Sequence, residues 1–153
     1  MGIPRTVFLA YKRVMDDVRS QPVKSGACYF AVIFGLGFVL GTVRVLWLMP
    51  MMGERNAVLA ELPIMLTASW LAGRWLVRRF GLVTLGTRAA MGIVGFALLM
   101  LAELGLGSAF FGQSPMDWVK SIFAMPGVIG FVGQILFALM PIVVGLGRDS
   151  NRL

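Results

Sequence analysis

Histidine is absent from the 153 residues, and cysteine occurs once, at Cys28. Without histidine there is no His-ligated haem, no zinc site built on imidazole, no His-carboxylate di-iron centre and no Ser-His-Asp catalysis. A lone cysteine forms no intramolecular bridge, and at the head of an apolar run Cys28 reads as a small buried hydrophobe. Charge is scarce too: Asp, Glu, Lys and Arg make up 14% of the chain, against roughly a quarter in soluble domains. Neither a metal nor an organic cofactor is expected, and no nucleophile and base pair points to an enzyme.

What fills the space is apolar. Hydrophobic residues account for 58% and the mean hydropathy is +0.85, which places the chain in a bilayer as one domain. The net charge of +7 and isoelectric point near 10.8 do not indicate nucleic acid. The cations flank apolar runs and form no stripe with interleaved aromatics, a pattern that orients a membrane protein and attracts anionic lipid.

Four runs are each long enough to cross a ~30 Å hydrocarbon core as a helix. They cover about 27–49, 56–77, 85–106 and 122–146. The fold class is therefore an all-α membrane protein with a four-helix transmembrane domain over 27–147. The first run exceeds the ~7 to 15 residues of a cleaved signal, so it is expected to stay as a span.

Residues 1–26 form a basic segment, with Val7, Tyr11, Val14 and Val18 on one helical face, expected to lie on the membrane surface; Pro22 and Gly26 are expected to break it from the first span. Residues 148–153 form a short tail. Lys and Arg concentrate in the N-terminal segment, in the turn between spans two and three, and in the tail, so both termini are expected to be cytoplasmic. In the longest exterior loop, Ser114-Pro115 ahead of Asp117-Trp118 reads as the start of a short interfacial helix.

Charge within the spans is the exception that carries information. Arg44, Glu61 and Glu103 each fall ~6 to 9 Å inside an exterior helix end, on three different helices. A lone charge at mid-membrane costs roughly 2.5–3.5 kcal/mol, so such groups face the bundle and pair. The three read either as a cluster fastening three helices or as a site for an ionic ligand, with Glu54, Arg55 and Gln134 placed to support it. Gly37 and Gly41 share the helical face of Arg44 in a GxxxG pattern, expected to seat a second helix closely. Gly92, Phe96 and Glu103 line one stripe of the third span. At the cytoplasmic end Arg74, Arg78, Arg79 and Arg88 are expected to contact lipid headgroups. The fourth span carries Pro126, Pro141 and several glycines, which kink a helix or open its backbone to a cavity.

The run Gly41-x-x-Arg44-Val-Leu-Trp47-Leu-x-Pro50-x-x-Gly53-Glu54-Arg55, followed by Glu61-x-Pro63 and Arg74-Trp75-x-x-Arg78-Arg79, resembles a group of small, uncharacterised bacterial four-span inner-membrane proteins. The resemblance covers mainly the first two spans. It implies the same architecture in a bacterial inner membrane and brings no established activity. The leading functional expectation is an accessory or scaffold subunit without enzymatic activity, packing through Gly-rich helix faces against a membrane protein partner or a second copy. The alternative is a small transporter or channel built on the Arg/Glu site, with a lipid-like molecule among its candidate ligands.

Overall fold

The computed structural model describes residues 5–149, with the side chains of Phe8 and of 20–146 other than Phe111. The amphipathic face expected over residues 7–18, and the tail beyond Asp149, lie outside these described side chains. Among the described residues every regular element is helical: α1 (Arg5–Val43), a π-helical turn (Arg44–Leu48), α2 (Met49–Met52), α3 (Glu54–Arg79), α4 (Leu85–Phe111), α5 (Pro115–Phe123) and α6 (Gly127–Asp149). Four stretches are long and apolar enough to cross a membrane: Ser20–Met52, Glu54–Arg79, Leu85–Phe110 and Gly127–Leu146. The chain is a multi-pass membrane protein, and bulky apolar side chains such as Trp47 (70% exposed) and Phe110 (76%) face outward, as a lipid-facing surface requires.

The second and third expected spans fall inside α3 and α4; the first and fourth differ in instructive ways. No break occurs at Pro22 or Gly26, and α1 runs unbroken through both. Gly26 serves packing instead, since a methyl there would stand 2.7 Å from Val94 Cβ and 2.8 Å from the Met91 carbonyl of α4. Cys28 is exposed on the outer face of α1 instead of buried. The fourth span starts later than expected. Ile122 and Phe123 end α5, and Pro126 precedes α6, because a proline pushes the residue before it out of the helical region. Ser114 caps α5 by accepting from Asp117 N–H at 3.2 Å, with Pro115 in the first turn, as the sequence indicates.

The turn between α3 and α4 is set by chemistry legible in its residues. Gly81 takes a left-handed conformation (φ 61°), Gly81 N–H reaches the Arg78 carbonyl at 3.3 Å and Leu82 N–H reaches the Val77 carbonyl at 3.0 Å. This is a Schellman closure, completed by apolar Leu82 and Val77, both buried. Thr84 then caps α4 by accepting from Thr87 N–H at 3.2 Å.

Around the bundle the order is α1, α4, α6, α3 and back to α1, so the consecutive helices α3 and α4 lie diagonally opposite. The buried core of Tyr29, Ile33, Leu76, Val77, Leu82, Met91 and Phe137 lies in the half that contains the α3–α4 turn. There glycines bring backbones together: Gly73 of α3 sits 3.8 Å, as a methyl would measure it, from Pro141 N of α6, and a methyl at Gly92 of α4 would lie 2.0 Å from the Ala138 carbonyl of α6. The other half, towards α2 and α5, is packed differently.

Candidate functional site

In that half, α1, α3, α4 and α6 line a half-open cavity of about 560 Å³, within the ~300–1,000 Å³ typical of sites for small ligands. Its floor is the core itself: Ile33, Ser69 and Phe137 line it from below. Along α3 it extends from Ser69 to Val58, roughly 16 Å at the helical rise. Most of the wall is apolar; Thr42 and Ser69 also line it, and the charged and amide groups come from four different elements: Arg44 from the π-helical turn, Glu61 from α3, Glu103 from α4 and Gln134 from α6.

The floor rests on a proline. Pro141 lies inside α6 and has no N–H, so the carbonyl four residues earlier, at Phe137, loses its helical donor. Tyr29 replaces it: its hydroxyl donates to the Phe137 carbonyl at 3.0 Å and also reaches the Ser69 carbonyl of α3 at 3.3 Å. Its ring stacks on Phe137 with centroids 4.4 Å apart and planes 7° off parallel. One fully buried side chain thus ties α1, α3 and α6 together. Sequence reasoning passed over Tyr29, yet the signal was present: it is the one tyrosine within a span, in a chain whose last span carries an internal proline.

At the upper wall the chain leaves α-geometry. Met49 N–H bonds the Arg44 carbonyl, five residues back. The cause is Pro50, which has no N–H to donate and whose ring cannot sit against the carbonyl of residue 46; a wider turn just before it relieves the clash. Arg44, Val45 and Leu46 all reach the cavity, three consecutive residues presented together.

Arg44 Nη1 donates to Glu61 Oε2 at 2.9 Å, with the Arg44 side chain 32% and the Glu61 side chain 11% exposed. Glu103 Oε1 accepts a short hydrogen bond from Gln134 Nε2. Arg44 and Glu103 share the cavity, and no ion pair within 4.0 Å joins them among the described residues. The expected three-residue cluster is thus two pairs facing one space, with Gln134 as a full member.

Gly37 and Gly41 do not seat a helix. A methyl at Gly37 would meet only the Met65 side-chain tip at 3.2 Å, and one at Gly41 would meet only the Arg44 guanidinium at 3.9 Å. Their small size opens the cavity, because no backbone has moved in to fill the space. Glu54 and Arg55 are exposed at the start of α3 and stand outside the lining. Arg78 and Arg79 are exposed as headgroup contact requires, and Arg74 lies over the Trp70 ring at 5.3 Å. Arg88 departs from that expectation. It is 4% exposed, its Nε donates to the Leu82 carbonyl at 3.0 Å and its guanidinium fills the space over Gly145, so it braces the α3–α4 turn against α6.

Arg44→Ala is expected to lower the melting point of the detergent-purified protein, because Glu61 is left alone at roughly the 2.5–3.5 kcal/mol cost of an unpaired intramembrane charge. Adding Glu61→Gln should restore most of the loss. A double variant no more stable than the single one would assign the loss to the packing of the arginine stem.

Neither a protein-family model, nor a curated protein, nor a solved structure matches the chain. The fold and site by themselves define a class: a four-span helical membrane protein with a half-open cavity, headed by polar groups, between its helices.

Proposed function

We propose that this chain binds or carries a small amphipathic molecule in the cavity between its four spans, and performs no chemistry on it. The observation that carries the reading is the convergence of Arg44, Glu61, Glu103 and Gln134, from four separate elements, on one largely apolar space. Charged groups in a bilayer that only fasten helices are expected to be packed around. Here they border about 560 Å³ of open volume, and a π-helical turn, a feature frequent at functional sites, presents the arginine.

In this reading the protein sits in a bacterial inner membrane with both termini cytoplasmic, so the cavity occupies the outer half of the membrane. A reporter fused after Leu153 that works only outside the cell is expected to stay silent; activity there would overturn the orientation.

An accessory role draws support from another feature. Helix α1 begins at Arg5, well before the apolar run that opens at Ala27, and so extends the first span by roughly 33 Å at the helical rise as a basic helix that a partner protein could grip. The Gly-rich faces on which the scaffold expectation rested lend that role less support, since Gly26, Gly73 and Gly92 are occupied by packing inside the chain.

The test is to fill the cavity. Gly41 and Gly130 both line it, and a methyl at Gly130 meets nothing within 4 Å. Gly41→Leu and Gly130→Leu are expected to keep or raise stability by up to about 0.5–1 kcal/mol, the helix cost of glycine. Both should abolish the melting shift given by amphiphiles in the unmodified protein. A panel of cationic, anionic and neutral amphiphiles that shifts nothing in the unmodified protein would overturn the reading.

A further inference from the structure

The cavity carries a charge pattern that narrows the ligand. Two carboxylates and one guanidinium line it, with Gln134 neutral. Arg44 is committed to Glu61 at 2.9 Å. Glu103 is bonded only by the uncharged Gln134 amide through Oε1. Its second oxygen, Oε2, makes no hydrogen bond among the described residues, and no buried side-chain oxygen there lacks a partner, so Oε2 faces the accessible space. Arg44 acts on Glu103 only at a distance, beyond ion-pair contact.

We propose that the ligand is a hydrophobic cation, an amine or quaternary ammonium carrying apolar groups, with its charge against Glu103 and its body along Phe34, Met65 and Leu99. The inference rests on the ligand-binding reading above. An anion of the same shape would have to strip Arg44 from Glu61, leaving that carboxylate unpaired, and would face Glu103 as well. A cation meets a carboxylate whose free oxygen has no competitor. Phe34, Phe38 and Phe137 belong to the same wall, and a cation brought over the face of an aromatic ring is attracted by its quadrupole. Hydrophobic cations are the ligands for which both the apolar wall and the unmatched carboxylate are favourable at once.

The experiment uses the full chain in a mild non-ionic detergent. It titrates tetraphenylphosphonium and tetraphenylborate, a cation and an anion of nearly the same size and shape, with uncharged triphenylphosphine oxide as the third probe. Binding above that of empty micelles is followed by equilibrium dialysis. Tetraphenylphosphonium is expected to bind saturably and tetraphenylborate not to. Glu103→Gln keeps the shape and a hydrogen bond to Gln134; it should weaken the cation roughly tenfold or more, each factor of ten being about 1.4 kcal/mol. Glu54→Gln, outside the cavity, should leave binding as it was.

Preference for tetraphenylborate, equal binding of both ions, or a Glu103→Gln variant that binds as tightly as the parent would each overturn the cation assignment while leaving a ligand cavity in place. Failure of all three probes overturns the ligand-binding reading as well. Should Glu103→Gln not fold, the comparison of the two ions on the unmodified protein decides the sign of the ligand by itself.

Discussion

Gly92→Leu is expected to abolish recovery of a folded, monodisperse protein in detergent. At this position α4 touches α6 backbone to backbone: even the first carbon of a side chain would stand 2.0 Å from the Ala138 carbonyl oxygen and 3.1 Å from its carbon. A flexible side chain could swing aside, but a helical carbonyl cannot. The two helices must separate, and with them the contacts of Met91 and Phe137 in the core. Ordinary overpacking costs about 1–3 kcal/mol because only side chains shift; here a whole helix moves, so a loss above about 3 kcal/mol is expected. Gly92→Ala should show the same defect in milder form. Gly105→Leu is the control, on the same helix with nothing within 4 Å of the new methyl. Size-exclusion chromatography and thermal melting read the outcome, and a Gly92→Leu protein that melts like its parent would refute the contact.

The second large effect belongs to Tyr29. Tyr29→Ala removes a fully buried ring stacked on Phe137 and is expected to cost about 3–5 kcal/mol, in line with truncating a large aromatic side chain in a core. Tyr29→Phe is more informative. It keeps the ring and removes only the hydroxyl, leaving the Phe137 carbonyl without a donor in a medium that has no water to offer, at about 1–3 kcal/mol. Pro141→Ala restores an N–H four residues after Phe137. Combined with Tyr29→Phe, it should recover most of that loss, since the helix can then satisfy its own carbonyl. Melting curves of the two single variants and the double variant form a thermodynamic cycle. Additive losses would mean that the hydroxyl and the proline do not share the carbonyl.

The charged residues were the most readable part of the site. Hydropathy exposes a charge in a span because nothing else in the chain resembles it, and counting residues to the helix ends put Arg44, Glu61 and Glu103 at one depth. The helical face of Arg44 and the stripe through Glu103 brought both to the interior, where the structure has them. The partnership of Glu103 with Gln134 was not readable, because it depends on α4 lying beside α6. The loop between those helices allows that arrangement without requiring it.

Glycines and prolines were harder to read, for one reason. Each has a local meaning, a break or a turn, and a tertiary one, room for a neighbour or a carbonyl set free. Gly26 looked like part of a break and is a helix contact; Gly37 and Gly41 looked like a helix contact and border a void. Gly81, whose meaning is local, closes its turn as the residues around it imply. Arg88 was misassigned on similar grounds, since a cation near a membrane interface serves equally at the surface or as a brace, and only the room that Gly145 leaves for its guanidinium distinguishes them.

The sequence alone determined that the described residues build helices, four of them long and apolar enough to cross a membrane, and which side chains within those spans carry charge. These follow from transfer free energies and helix geometry, which act residue by residue. The tertiary structure alone decided the order of helices around the bundle, the Tyr29 tie to the carbonyl that Pro141 leaves free, and the division into a packed half and a hollow one. Those depend on whether a given glycine faces another backbone or open space, a relation between distant segments that no single stretch of sequence contains.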